Sequence, residues 1–347
     1  MKNLSLFEKL FFILNSIFST LLIFSIFFAY VKPSLIQNFS LFTLLTPVFS
    51  FINLFFLFFW IISLKKQFLL SFVCLLISFK SMAKSFTISN SSPEFSENKL
   101  SILSYNVRMF NVYNWISDED ISNKISIFLS GQNPDIVCLQ EFYDKNFELK
   151  KYPYKFKFTR GDKTKYGQVI YSKHPIINKG EINFKSKSNS AIYADLKLKK
   201  DTIRIYNIHL ESFSFDKSVD ITQHNEKIIS DISNTFITQQ NQVEKIISNI
   251  KQCNYRYVIT GDFNNTAHSY VYNKLIIGLK DSFSEKGDGF GTTFSYKKIP
   301  FRIDYILIPK DYKVNNFKTY DVNFSDQKPI YSEFIYWLFI ISHDFKP

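Results

Sequence analysis

The run Tyr257-Val258-Ile259-Thr260-Gly261-Asp262-Phe263-Asn264-Asn265 is a string of β-formers that stops on a glycine and then presents an aspartate and an asparagine two residues apart. Side chains at i and i+2 of an extended segment leave on the same side, so Asp262 and Asn264 can converge on one ligand just past a buried strand. A carboxylate beside an amide in that position suits phosphate chemistry. The plainer reading is a turn, in which Gly, Asp and Asn are the common residues. The same grammar, an apolar run and then a charged or amide residue, recurs around Asn106, Glu141, His209 and Asp304, and the series closes on Ser325-Asp326-Gln327-Lys328-Pro329. Glu141 is a hard carboxylate at the end of a run of buried β-formers. With the amide of Asn106 it offers the oxygen ligands that magnesium or manganese prefer. A solvated glutamate at the start of a loop and an amide capping a strand end are the plainer readings of these two. Together the residues suit a metal-assisted attack of water on a phosphodiester or phosphomonoester.

In this order and spacing the clusters resemble the endonuclease/exonuclease/phosphatase superfamily, which includes pancreatic-type deoxyribonucleases, abasic-site endonucleases, neutral sphingomyelinases and inositol-polyphosphate phosphatases. The resemblance covers roughly residues 100–334. It implies an α/β fold, a four-layered sandwich of two mainly antiparallel sheets flanked by helices, with the motif residues at strand ends along one edge. It also implies roles. Asp262 positions or deprotonates the attacking water, Asn264 holds a phosphate oxygen, and His209 faces the phosphate. Asn106, Glu141 and Asp326 belong to the metal site, which takes Mg2+ or Mn2+. The ending departs from the family pattern, in which a histidine, oriented by an aspartate equivalent to Asp304, follows the Ser-Asp pair. Here that position is Gln327, which is neutral and donates only an amide hydrogen bond. Loss of such a group typically costs roughly 10²–10⁴ in rate. An attenuated enzyme, a site that recruits Lys328, and a decayed module that only binds phosphorylated ligands all follow from that departure.

Tyr166 to Pro175 resembles the central strand and turn before the family's second half, with His174 a turn residue. The glycine-dense Gly287 to Phe294 resembles a loop of membrane-anchored bacterial members and is expected to border the site.

The first ninety residues are a different kind of polymer. Leu10 to Val31 carries no charge, a second uncharged stretch runs from Leu41 to Leu64, and about 20 apolar residues suffice to cross a bilayer. Both are expected to span a membrane, the first not as a cleaved signal peptide, since its apolar run is too long and a second follows at once. A third run, Gln67 to Phe79, lies between Lys66 and Lys80 and is short for a span. Lysines before the first span and after the second place both ends of that hairpin in the cytoplasm. Two spans leave the remaining chain inside and three export it. Three is the expectation, and an interfacial helix is the alternative. The organisation expected is therefore an anchor over 1–86, a Ser- and Asn-rich linker over 87–98, a catalytic domain over 99–337 and a tail over 338–347. Helices are expected at Ser122–Leu129 and Thr238–Ile250, with Ser212 to Gln242 an insertion near the site.

Of the net charge of +12, half sits in the first ninety residues, where seven lysines face one glutamate. The remainder is modest for a nucleic-acid binder, which needs a concentrated basic face. A positive surface also suits membrane lipids. The expected partners are a phosphorylated substrate (nucleic acid, phospholipid or small phosphoester) and the bilayer, and no feature points to an obligate protein partner. Three cysteines, Cys74, Cys138 and Cys253, give neither a disulfide framework nor a zinc spacing.

Overall fold

The protein is described by a computed structural model over residues 4–89, 93–143, 147–161, 165–184, 186, 188–199, 201–213 and 225–336. The expected tail and residues 214–224 of the expected insertion lie outside the described residues. The chain divides into two units, one spanning residues 1–86, 212–241 and 265–274, the other residues 87–211, 242–264 and 275–347.

In the first unit, α1 (Leu6–Phe28) starts on a capping box between Ser5 and Glu8, which satisfies the backbone donors at its first turn. A short α2 (Pro33–Ile36) and a 3-10 segment lead into α3 (Thr46–Ile62), and α4 (Phe68–Met82) follows. Leu6–Phe28 and Pro33–Ile62 are long and apolar enough to cross a membrane. The third run forms a helix that extends to Met82, but its 15 residues rise only about 22 Å, short of a hydrocarbon core of about 30 Å. Polarity in this unit runs from the inside out. Asn15, Ser19, Asn53 and Ser71 are buried in a chain of side-chain hydrogen bonds, joined by the Trp60 indole N–H on Asn15, while Phe7, Leu10, Phe55 and Ile62 are exposed. Helix α6 (Asn225–Ile250) absorbs the expected 238–250 helix, and Ser233 and Gln240 on it hydrogen-bond Asn38 and the backbone of Ser34.

In the second unit, strands β1 (Lys99–Asn106), β2 (Ile136–Tyr143), β3 (Tyr154–Arg160) and β4 (Tyr166–Ser172) join β13 (Lys313–Thr319) and β14 (Ile330–Ile335) in one sheet, ordered β13-β14-β1-β2-β4-β3. The other, ordered β5-β6-β7-β8-β12-β9, holds β5 (Ile176–Ile182), β6 (Ser190–Lys197), β7 (Thr202–His209), β8 (Arg256–Asp262), β9 (Leu279–Asp281) and β12 (Asp304–Pro309). A hairpin of β10 (Phe294–Tyr296) and β11 (Ile299–Phe301) stands apart. Leu100, Ile102, Cys138 and Ile170 of the first sheet share one core with Ile192, Ile205, Val258 and Ile306 of the second. On the outer face of the first sheet, Ile121, Ile125 and Leu129 of α5 (Ile121–Gln132) pack with Leu103, Val137 and Leu139. Strands covered on both faces read as continuous apolar runs, which is why these segments stand out in the sequence. The segment expected as a linker is tied down at two points, Thr87 to the backbone of Gly289 and Glu94 to Asn315 and Lys313.

One polar clasp crosses the core. Gln140 donates to Asn207 Oδ1 at 2.7 Å, and Asn207 Nδ2 donates to the carbonyls of Leu139 and Val169 at 3.0 and 3.1 Å. Asn207→Ala takes the nearer acceptor from Gln140, which keeps its bond to Ser104, and removes the side-chain donor from two carbonyls, so at about 1 kcal/mol per lost hydrogen bond the cost is about 3 kcal/mol. The expected result is a melting temperature lowered by roughly 6–12 °C for a unit of this size. A drop smaller than about 2 °C means the clasp carries little.

Candidate active site

Most pairings in the two sheets are antiparallel, but each sheet contains one parallel pair, β1 with β2 and β7 with β8, linked by segments that contain α5 and α6. Parallel pairing brings C-terminal ends to the same edge. Asn106 closes β1, Glu141 lies near the end of β2, and His209 stands beside Asp262 in register at the ends of β7 and β8. Asp304 opens the antiparallel β12 directly opposite Asp262. The sequence-expected residues from five strands and the 325–327 segment therefore meet at one edge of the second unit.

Local backbone geometry aims them. A bulge interrupts the β2–β4 ladder between Leu139 and Phe142, so Gln140 turns into the inter-sheet core while Glu141, at a left-handed φ of 48°, turns to the site. Gly261 sits at φ 131°, and a Cβ there collides with the backbone of Ile208 on β7. The glycine before the aspartate is a condition of close strand approach.

Asp262 is the hub. Its Oδ2 accepts from Asn106 Nδ2 at 3.0 Å and Gln327 Nε2 at 2.8 Å, and its Oδ1 from the Asn264 backbone N–H at 2.8 Å. Asn106 Nδ2 also donates to Glu141 Oε1 at 3.0 Å, while its Oδ1 accepts from the Arg108 N–H. His209 is buried with Nε2 at 3.7 Å from Glu141 and 3.9 Å from Asp262, and that nitrogen has no hydrogen-bond partner among the described residues. Gln327 Oε1 and Asp304 Oδ2 are likewise buried without a partner. Buried polar groups are nearly always satisfied, and three such atoms fall together on residues of this edge. Burial first, and then the charge of Asp262, hold the Asp304 carboxyl well above the usual carboxylate range.

Two expectations need refinement. The Asn264 amide donates to the Leu210 carbonyl at 2.9 Å, so its contact with substrate requires that bond to be shared or broken. Lys328 is paired with Asp321 at 2.7 Å, which draws it away from the role of a recruited group. Asp326 is paired with Arg108 at 3.0 Å. Burial lifts its carboxyl, Arg108 pulls it back, and Glu141 adds to the rise. Arg108 went unnoticed in the sequence, although its place two residues after Asn106 was a readable signal. The loop expected to border the site does so through Thr293, whose hydroxyl accepts from the Ile303 and Asp304 N–H groups. His174 lies in the turn after β4, bonded to Ser172.

Comparison with known proteins agrees with the fold of the second unit. A family model described as a domain of unknown function matches residues 8–85, and no curated protein matches the chain. Among solved structures, an endonuclease/exonuclease/phosphatase from Bacteroides vulgatus is similar, with a TM-score of 0.54 at 18% identity over 69% of this chain and 99% of that one. D. rerio TDP2 complexed with single strand DNA product gives 0.52 at 17% identity, covering 69% and 99% of the two chains. ANGEL2, a 2',3'-cyclic phosphatase, gives 0.52 at 13% identity, covering 68% and 95%. At these identities the likeness is one of fold. The model of the Endonuclease/Exonuclease/phosphatase family matches residues 103–326, most of the second unit and every site residue from Asn106 to Asp326, and the chain belongs to that family.

Proposed function

We propose that the protein is a divalent-metal-dependent phosphoester hydrolase held at a membrane by its N-terminal helices. The observation that carries the reading is the convergence of Asn106, Glu141, His209, Asp262 and Gln327 around three buried polar atoms that lack protein partners. The inside-out polarity of the first unit supports the membrane, since buried amides and hydroxyls with exposed Phe, Leu and Ile suit helices packed in lipid.

The residues fit a hard cation. Among the described residues no three of His, Cys, Asp and Glu are gathered closely enough to hold one ion, so a cation would draw on the Glu141 and Asp326 carboxylates, the latter shared with Arg108, and on the Asn106 amide oxygen once it turns from the Arg108 N–H, with water completing the shell as magnesium prefers. When bound, Mg2+ or Mn2+ supplies positive charge against the phosphoryl oxygens. In the chain's own chemistry, Asp262 accepts the proton of a water whose oxygen bonds to phosphorus. The bond from phosphorus to the ester oxygen breaks with its electron pair going to that oxygen, which takes a proton from solvent, and Asp262 returns its own proton to solvent. His209 Nε2, and the Gln327 amide once it leaves Asp262, would donate to non-bridging oxygens, where added charge develops.

Gln327 favours a second reading. Its amide occupies Asp262 Oδ2, the atom that must take the proton, as expected of a site that binds phosphorylated ligands without turning them over. Hydrolysis of bis-p-nitrophenyl phosphate by the full chain in detergent separates the two. The expected result is slow turnover that EDTA abolishes and magnesium restores. Turnover unchanged by EDTA removes the metal from the mechanism, and no turnover with magnesium leaves the binding module.

A further inference from the structure

Directly after Asn106 the chain spends several unfavourable residues on a single feature. Arg108, Met109, Phe110 and Asn111 have φ of 43, 52, 53 and 62°, all left-handed and none of them glycine. The loop they form is stapled from within. Phe110 stacks on Phe147 at 4.5 Å, and the Asn111 amide bonds to Ile116 and Asp118 on both its nitrogen and its oxygen. The loop so fixed holds two large rings out in solvent. Tyr113 is 59% exposed and Trp115 42%, edge to face at 5.0 Å. The Arg108 guanidinium lies over the Trp115 ring at 4.4 Å and reaches Asp326 of the site at 3.0 Å.

Resting on the phosphoesterase reading, we propose that Trp115, Tyr113 and Arg108 form a stacking ledge for an unpaired nucleobase attached to the phosphoester, so that the substrate is a nucleotide or a short single strand. A cation sandwiched between an indole and the reaction edge matches a ligand that carries a flat ring next to an anion. A lipid headgroup offers no flat ring to stack on, and the Arg108 cation over Trp115 opposes the choline cation that aromatic faces otherwise attract. Beyond the rings the loop continues into Asn114, Ser117, Glu119 and Asp120, all exposed and polar or acidic, and these outnumber its exposed aliphatic side chain, Val112, on a surface that insertion into a bilayer would need apolar. The same acidic residues limit how far a polyanion can run past the ledge, which sets the size of the ligand.

The test is calorimetric binding of thymidine monophosphate, a four-residue thymidylate and glycerol phosphate to the full chain in detergent with magnesium, using Asp262→Asn to prevent turnover. Base-bearing ligands should bind at least about tenfold more tightly than glycerol phosphate, consistent with one aromatic stacking contact. Trp115→Ala should erase that preference, and Trp115→Phe should retain most of it. The two thymidylates distinguish a mononucleotide from a strand. An unchanged preference in Trp115→Ala, or an equal loss for all three ligands, overturns the ledge. Base preference without hydrolysis by the unsubstituted chain keeps the ledge and removes the enzyme, whereas hydrolysis without base preference does the reverse.

Discussion

Asp262→Asn is expected to lower kcat by at least about 10³ while moving the melting temperature by only a few degrees, because it removes the proton acceptor and its charge but keeps the shape. Asp262 is fully buried, and its two oxygens take three N–H donors, from Asn106, Gln327 and the Asn264 backbone. The asparagine amide keeps one oxygen for two of these donors and turns an NH2 toward the third. That change costs about one hydrogen bond, roughly 1 kcal/mol. The loss is offset in part, since the charge of Asp262 helps to hold Asp304 in an unfavourable state. The prediction therefore separates rate from stability, as alanine at the same position does not, because alanine leaves all three donors orphaned. Steady-state hydrolysis of bis-p-nitrophenyl phosphate beside a thermal melt decides it. A variant that keeps more than a tenth of the parent kcat shows that another group takes the proton.

The strand ends were legible in sequence for a physical reason. A strand buried on both faces must be apolar along its length, so a carboxylate or amide at its end breaks the pattern and marks the sheet edge, as at Asn106, Glu141, His209 and Asp262. What pairs with those residues was not legible, because it depends on backbone conformations that sequence does not announce. The left-handed φ at Glu141 and the bulge before it decide that Gln140 enters the core and Glu141 the site, and a shift of one residue exchanges them. The Arg108–Asp326 pair joins two loops more than 200 residues apart. The 238–250 half of α6 was expected as a separate helix, and its first half only within the insertion over 212–242. That first half does carry Ile228, Ile232 and Phe236 at helical spacing, but its union with the second half into one helix and its contact through Ser233 with Asn38 depend on tertiary packing.

Gln327→His is expected to raise kcat by about 10², the lower end of what a positioned general acid or base contributes, and the gain should depend on Asp304. In the protein as it stands, Asp304 Oδ2 and Gln327 Oε1 are both buried without partners, and the one bond Gln327 makes with its amide falls on the proton acceptor Asp262. An imidazole at 327 replaces a neutral amide with a group that titrates near neutrality, frees Asp262 Oδ2, and offers Asp304 a cation. Asp304→Asn removes that partner while keeping the volume, so Gln327→His in that background should gain little, and the double-mutant cycle measures the coupling. Stability gives an independent readout with a definite sign. Because burial and Asp262 raise the folded Asp304 carboxyl, its contribution is fully present below the unfolded pKa and is lost as pH rises through the raised value. The parent should therefore melt lower at pH 7 than at pH 5 by more than either Asp304→Asn, which has no such proton to lose, or Gln327→His, in which a charged imidazole favours the ionised carboxylate. If Gln327→His instead matches or falls below the parent in kcat, the glutamine amide is itself a working donor to the phosphoryl group, and the site has been retuned around it rather than weakened.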